Sequence, residues 1–435
     1  MVRVPEFNAT CAYSHSKPDD PIVLPGLPGA SHMHSFFGNK STDAFSTTQS
    51  LLANTPTSCT PAKDLSAYWI PTLYEGDRAV EAEGMIVYYG SRLPDPTATV
   101  PFPQGFRMIA GDAKAQAPTP AGSPGQFWCA GEGGEIGRSA DGNWPVCAPK
   151  AHLTHQLVFP DCWDGKNLDS PDHKSHVAFT YDGKCSGATR SHPQPLLRRQ
   201  LSDQRQHRGL PAGLGHGVVD PRRLLQRLGQ RRSRAAREGL HHPEGQVQLR
   251  RHVLTLWSAC AVAMALLAVG CTSQPAAGTS PAAAFSATDT AWIQLMVPMN
   301  ERAQLLTDLA PSREGDPALT ALAAKTGSTL RQDLRRLHAL LELSGVPDTR
   351  PHEGHTMPGM VSLDTLKSAG SASGGAFDRI LADALRAHFT QTRMLCASER
   401  TQGKAGKAKE LAAAIARSTA EQTSWLDTLR PAEPA

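Results

Sequence analysis

Residues 191–250 divide the chain, because they lack the residue types from which a folded core is built. These sixty residues contain twelve Arg and eight Gln, but no Lys, Phe, Tyr, Trp, Ile, Met, Cys, Asn or Thr. A segment without aromatic residues buries too little apolar surface to offset the entropy lost on folding. We therefore predict that residues 191–250 are disordered and that separate units fold on either side of them.

The amino-acid composition of the same segment is typical of a GC-rich gene that is translated in a shifted reading frame. With one choice of codons, DPRRLLQRLGQ (220–230) reads IRADFFNAWD after a shift of one base, and EGQVQLR (244–250) reads RAKCN and a stop. Our hypothesis is that a frameshift between about residues 186 and 200 joins two neighbouring reading frames, a hypothesis that DNA sequencing tests. The alternative is a natural linker of unusual composition.

Residues 250–278 have the anatomy of a secretory signal peptide, with a basic start, an apolar run over 254–269 and a small-residue cleavage site. LAVGC (267–271) resembles a lipobox, which makes Cys271 a candidate for lipidation, although Ala268 stands where leucine is usual. The alternative is a membrane helix, but the run is shorter than the roughly 20 residues that a span needs. We expect membrane association through residues 251–271 or through a lipid on Cys271, followed by a linker over 272–287.

Six cysteines fall in the first 185 residues: Cys11, Cys59, Cys129, Cys147, Cys162 and Cys185. An even number without CxxC pairs predicts three disulfides rather than a zinc knuckle. Disulfides imply an oxidising, extracytoplasmic compartment. Because no signal peptide precedes Cys11, we expect either that the protein starts further upstream or that the chain is trimmed. The net charge of +4 is too small to indicate a nucleic-acid partner.

Short apolar runs bounded by Gly, Pro and Asp are the main structural pattern of residues 1–190. They include GMIVYYG (84–90), HLTHQLVF (152–159) and HVAFTY (176–181), and no stretch there shows a sustained helical period. This pattern predicts a mostly β unit, an antiparallel and loop-rich sandwich that disulfides stabilise.

Histidines and acidic residues concentrate in two loops of this unit. SHMHSFFGN (31–39) carries His32 and His34, and extended backbone would place both imidazoles on one face with Cα atoms about 6.5–7 Å apart. FPDCWDGKNLDSPDHKSH (159–176) carries His173 and His176. The acidic residues near the expected site are Asp19, Asp20, Asp164 and Asp172. We predict a site for copper or zinc, and the alternative is that these side chains only stabilise turns.

Four long segments carry a family resemblance: SHSKPDDPIVLPGLPGASHMHSFFGN, SAYWIPTLY, GFRMIAGD and FPDCWDGKNLDSPDHKSHVAF. They resemble a secreted family of bacteria and fungi, the domain-of-unknown-function family nineteen-ninety-six, over nearly all of residues 6–186. Members of that family typically end with an H-A-D-F-x-N-A-W motif and K-C-N, which here occur only in the shifted frame. The resemblance implies a secreted fold and no particular reaction.

Beyond the linker, apolar residues recur at helical spacing. DTAWIQLMVPMNERAQLLTDLA (289–310) is the clearest example, and segments near 317–343, 374–399 and 404–429 have the same period. Four amphipathic helices with modest loops predict an all-α, up-and-down four-helix bundle over residues 288–430.

Three stretches of this part, MVPMN, HEGHTMPGM (352–360) and FDRILADALRAHF (377–389), resemble the domain-of-unknown-function family three-hundred-and-five. That family is a ferritin-like extracytoplasmic group with copper-handling members, and it usually carries His-His pairs on its first and third helices. Here Met299 and Asn300 replace the first pair, and His388 with Phe389 replaces the second. The remaining candidate ligands are His352, His355, Met357, Met360 and His388. Imidazole and thioether suit Cu(I), although Met at helical spacing is more often core.

Three functions remain open at this point. The chain is a metal-binding protein, a metal-dependent hydrolase of cell-surface or extracellular glycans that relies on Asp164 and His173, or a non-catalytic cell-surface domain. The sequence contains no nucleophile elbow, phosphate loop or zincin motif. Binding is therefore favoured over catalysis.

Overall fold

The computed structural model describes most residues of the N-terminal unit and nearly all of the helical unit. The described residues are 7–75, 78–91, 95, 99–111, 123–131, 134–138, 145, 147–148, 150–181, 184–185, 190–191, 194–201, 216–218 and 285–429. The predicted signal segment 251–271, with Cys271, lies outside them. No helix in the described ranges is long and apolar enough to cross a membrane.

Strands dominate the described N-terminal residues, as the alternating apolar runs predict, with one helix, α1 (Thr48–Ala53). The strands are β1 Phe7–Lys17, β2 His34–Gly38, β3 Cys59–Thr60, β4 Ala67–Pro71, β5 Leu73–Glu75, β6 Arg78–Val80, β7 Ala82–Gly90, β8 Arg107–Ile109, β9 Gly125–Gly131, β10 Gly134–Arg138, β11 Ala151–Val158, β12 Cys162–Trp163, β13 Val177–Ala178, β14 Arg190–Ser191, β15 Gln194–Leu201 and β16 His216–Val218.

The largest sheet is antiparallel and runs in the order β10-β9-β11-β15-β7-β1-β2-β4-β16-β8, with β3 beside β1. Strand β1 belongs to both halves of this sheet, because its first residues pair with β7 and its last residues pair with β2. The register shifts between Tyr13 and His15, and such a bulge bends a strand. The two halves enclose one core, to which Val87 and Phe127 contribute from one side and Tyr68 and Met108 from the other.

Strands β15 and β16 lie inside residues 191–250, where composition predicted disorder. For these two strands and for Ser191 of β14 the prediction of disorder does not hold, and the rest of the segment lies outside the described residues. The physical reason is pairing, since the backbone of β15 is hydrogen-bonded to β11 on one side and to β7 on the other. A strand between two neighbours is stabilised by hydrogen bonds of its backbone N–H and C=O groups, so it can form without a strongly apolar composition.

Three disulfides link the six N-terminal cysteines, as their even number predicts. The pairs are Cys11–Cys59, Cys129–Cys147 and Cys162–Cys185. The first pair joins β1 to β3 directly across the ladder. The spacing of the cysteines alone left this connectivity open.

The helical unit contains four long helices and one short one: α2 Ala287–Leu309, α3 Pro317–Ser344, α4 Leu363–Ser371, α5 Gly374–Gln402 and α6 Gly406–Thr428. Side-chain caps at Ser286 and Asp316 fix the starts of α2 and α3. Helices α2 and α6 each pack against both α3 and α5, which closes a four-helix bundle. The predicted bundle is confirmed, and its helix ends fall within a few residues of the expected ones.

The two units are in contact through the loop that follows β1. Leu24, Leu27 and Ala30 of this loop are fully buried, and they share one apolar core with Trp292 of α2 and Leu395 of α5. The contact brings the loop with His32 close to the loop between α3 and α4.

Candidate metal site

A cavity of about 190 Å³ lies where the two units meet. Its chemistry-bearing walls come from both sides: Asp20, His32, Asp172, His173, His352, His355 and Met357. The sequence predicted two separate metal sites, one in each unit. The structure brings part of each set to the same cavity.

His32 and His34 form the closest pair of rings beside this cavity. Their ring centres are 4.4 Å apart, as the H-x-H pattern predicts for neighbouring side chains on one face. His34 opens β2 and is fully buried, and its Nδ1 lies 2.9 Å from the backbone oxygen of Asp19. Because a carbonyl oxygen only accepts, Nδ1 carries the proton and donates it, and the lone pair is therefore on Nε2.

His32 is neutral at physiological pH. Burial lowers the pKa of His32 well below its usual value, and the neighbouring His34 and His355 lower it further, while Asp20 opposes them. Its Nε2 is buried and has no hydrogen-bond partner among the described residues. A neutral imidazole is the form that binds a metal ion.

The helical unit supplies the third ring. The ring of His355 is 6.0 Å from that of His32 and nearly perpendicular to it. His352 is buried, with its ring 6.1 Å from that of His355, and Met357 is buried at the cavity wall. Imidazoles and a thioether thus converge from one loop on the side facing His32.

His173 also lines the cavity. Its backbone has a φ of 56°, in the left-handed region that side chains rarely adopt. Nδ1 of His173 donates to Asp169 at 2.7 Å, an arrangement that orients an imidazole. His173 therefore stays a candidate, whereas Asp169 was not predicted as its partner.

His176 has a structural role instead. Its Nε2 lies 2.7 Å from the backbone oxygen of Arg107, and its Nδ1 lies 2.8 Å from the hydroxyl of Ser170. The ring is buried against Phe106. With both nitrogens engaged in these bonds, His176 does not belong to the set that faces the cavity.

The four acidic candidates mostly accept backbone N–H groups. Asp19 accepts from Gly29 and Ala44, Asp20 from Ile22 and Val23, and Asp164 from Lys166 and Asn167. Burial raises the pKa of Asp172, but hydrogen bonds from Ser175, Ser170 and Lys174 outweigh it and hold that pKa well below its usual range. The alternative of turn stabilisation fits Asp164 and Asp20, which accept from residues two and three positions further on, whereas Asp19 joins distant loop segments. Asp20 and Asp172 also line the cavity.

Met360 and His388 lie in the bundle and not at the cavity. Met360 packs in the apolar core, and the ring of His388 is hydrogen-bonded to the backbone of Gly359. Burial lowers the pKa of His388 to about 4. Asn300, at the position of the first family pair, is buried too. His388 and Asn300 therefore do not reproduce the two His-His pairs that the family resemblance implies.

A further group of ligand atoms occurs in the β unit. In the described part of the chain, Cys11, Cys59 and Asp64 are the residues whose ligand atoms all lie within 4.8 Å of one another. The two sulfur atoms form a disulfide, and Asp64 accepts a hydrogen bond from Tyr68 at 2.8 Å. Thiolate ligands would exist here only after reduction. The histidines at the cavity meet the same spacing only after their rings rotate.

Comparison with protein families assigns a family to each unit. Residues 20–200 match the model of a family described as a domain of unknown function, DUF1996. We name the N-terminal unit the DUF1996 domain after this match, which covers less than half of the chain. Residues 289–430 match a second domain of unknown function, DUF305, so both resemblances seen in the motifs are confirmed.

Two solved structures are similar to the DUF305 domain. One is a DUF305 protein from Streptomyces coelicolor, 17% identical, covering 34% of this chain and 91% of its own, with a TM-score of 0.30. The other is a DUF305 fragment from Deinococcus radiodurans, 16% identical, covering 32% and 93%, also with a TM-score of 0.30. The comparison with curated proteins gave no match.

The sequence did not indicate that His32 of the DUF1996 domain and His355 of the DUF305 domain are neighbours. Both motifs were noticed, but they are far apart in the chain and belong to different domains. No periodicity or spacing connects them, and only the tertiary contact does.

Proposed function

We propose that this protein binds a transition metal ion, copper with zinc as the alternative, through His32 and His34 of the DUF1996 domain. The observation that carries the proposal is the hydrogen bond from Nδ1 of His34 to the backbone oxygen of Asp19. Histidines that bind metals usually donate their other ring N–H to such an acceptor, which fixes the tautomer and the ring orientation.

The donors at the cavity favour copper over harder ions. They are imidazoles, among them the neutral ring of His32, with the thioether of Met357 at the wall and carboxylates that mostly accept backbone N–H groups. Imidazole suits copper and zinc, thioether suits Cu(I), and copper is the tightest-binding divalent ion of the first row. Magnesium and calcium, which need several carboxylate or carbonyl oxygens, fit less well.

We also propose that the protein works outside the cytoplasm. The support is its three disulfides, which persist in oxidising compartments. Anchoring through residues 251–271, or through a lipid on Cys271, belongs to the same proposal, and mass spectrometry of the protein from native membranes would detect that lipid.

Metal titration of the full-length protein tests the function. The expected result is one tightly bound copper ion in the wild type, lost when His32→Ala and His34→Ala are combined. The control is His338→Ala, which removes an exposed histidine of α3 and should keep the ion. Wild-type protein that binds no stoichiometric copper or zinc would overturn the proposal, as would a double variant that binds like the wild type.

A further inference from the structure

The loop of the DUF1996 domain is fitted closely onto the helices. A Cβ atom on Gly26, which has a φ of +75°, would lie 2.9 Å from Oγ1 of Thr288 and 3.2 Å from Cβ of Gln402. A Cβ on Gly29 would lie 3.0 Å from Cε of Met394, and the side-chain N–H of Gln391 donates to the oxygen of Gly29 at 3.0 Å. Because His32 follows Gly29 by three residues, its position depends on how this loop packs against the helices.

The loop with His355 is held just as firmly on the other side. Arg302 of α2 donates to the backbone oxygen of His355 at 2.7 Å. Arg350 makes two hydrogen bonds to the carboxylate of Glu301, at 2.5 and 3.2 Å. Since both anchors stand on α2, the ring of His355 moves with the helical bundle.

The ring separations fit a shared ion. Two imidazoles that bind one ion through bonds of about 2.0 Å have ring centres roughly 4.5–6 Å apart, depending on the angle between the bonds. The ring centre of His32 is 4.4 Å from that of His34 and 6.0 Å from that of His355. The hydrogen bond to Asp19 holds the ring of His34 in place, so a shared ion requires the rings of His32 and His355, which line the cavity, to turn toward Nε2 of His34.

We propose that the third ligand is His355, so that a single metal ion clamps the DUF1996 domain onto the DUF305 domain. This inference rests on the proposed function and adds a regulatory role to it. Because the ligands come from two separately anchored bodies, an ion that binds all three stabilises the docked arrangement. By linkage, docking strengthens ion binding by the same factor.

The ligand set is tested by spectroscopy on the full-length protein with one equivalent of Cu(II). Pulsed EPR should count three imidazoles in the wild type and in His338→Ala, and two in His355→Ala. Copper affinity of His355→Ala should fall more than about 100-fold, because loss of a ligand exceeds the usual effect of its supporting residues. An unchanged count and affinity in His355→Ala would overturn the clamp and leave the proposed function intact.

The clamp is tested separately by hydrogen exchange of residues 24–30, using Zn(II) as the probe. In the wild type, zinc should slow amide exchange in this segment, and His355→Ala should abolish that slowing. Gly26→Ala, which weakens docking without touching a ligand, should also weaken zinc binding. Gly105→Ala is the matched control, since its φ of +79° gives a similar strain, but its Cβ would meet Thr48 of its own domain.

Zinc that binds tightly without changing exchange of residues 24–30 would overturn the clamp. Tight binding would still support the function, because metal binding and domain docking are measured independently. Equal zinc affinity of Gly26→Ala and Gly105→Ala would argue against the coupling in the same way.

Discussion

At the scale of single residues, two carboxyl groups of the bundle share one proton. Asp289 and Glu399 are both fully buried, and their carboxyl groups lie next to each other against Gly403. Burial raises the pKa of Glu399 to about 9, and Asp289 adds to the rise. Burial also raises the pKa of Asp289, but hydrogen bonds from Glu399, Ser286 and Lys404 outweigh it and lower that pKa. At neutral pH, Glu399 is protonated and Asp289 is charged.

Glu399→Gln should therefore stabilise the bundle at alkaline pH. Unfolded Glu399 loses its proton near pH 4.5 and folded Glu399 near pH 9, so the wild-type free energy of unfolding falls as pH rises between these values. The slope for one group is at most about 1.4 kcal/mol per pH unit. Glutamine donates to Asp289 without titrating, so the variant should gain roughly 2–4 kcal/mol on the wild type between pH 5 and pH 8.

Urea unfolding at pH 5 and pH 8 measures this difference. The control is Glu410→Gln, an exposed carboxyl on α6, which should follow the wild type. Asp289 does not disturb the comparison, because its lowered pKa affects stability only at more acidic pH. Parallel pH profiles for Glu399→Gln and the wild type would contradict the shared proton. Sequence patterns gave no sign of this pair, since Glu and Asp at helical positions are normally solvated.

At the scale of elements, the loop with His352 and His355 depends on one glycine. Gly359 has a φ of +69°, and a Cβ there would lie 2.2 Å from Cβ of Gln391 and 2.8 Å from the oxygen of Ala387. Gly359→Ala should cost roughly 2–5 kcal/mol of stability, because it adds overpacking to left-handed strain. Gly370→Ala is the opposite case, since its Cβ meets nothing within 4 Å inside α4 and should add about 0.5–1 kcal/mol.

Thermal unfolding of both variants tests this contrast. If Gly359→Ala is as stable as the wild type, the loop does not close on α5 as described. Four helices of the bundle were predictable because their apolar period is local. The partners of the strands were not, since β15 pairs with two strands distant in sequence and its composition predicted no strand. The same distinction holds for the site, where the neighbouring His32 and His34 were predictable and the approach of His355 was not.

At the scale of the whole molecule, composition and packing favour different origins of the chain, either a fusion of two reading frames or one natural two-domain protein. The composition of residues 191–250 predicts two reading frames joined by a frameshift. The burial of Leu24, Leu27 and Ala30 among the helices favours units that belong together. Since β15 and β16 both belong to the main sheet and β16 ends at Val218, we place any change of frame downstream of Val218. The frameshift stays a prediction. The clamp would join two separate proteins through one metal ion in the same way as it would join two domains of one chain.

DNA sequencing across codons 180–260, together with intact-mass measurement of the proteins made in the natural host, decides between these two origins. The frameshift hypothesis predicts an inserted or missing base after codon 218 and two products that separate by mass. In that case, copper or zinc should make the two products co-elute, because the ligands of the clamp would come from different proteins. An uninterrupted frame and a single product that carries both domains would contradict the hypothesis. Residues 219–284 would then be a natural connection that keeps His32 and His355 at high effective concentration, which strengthens ion binding without any new contact.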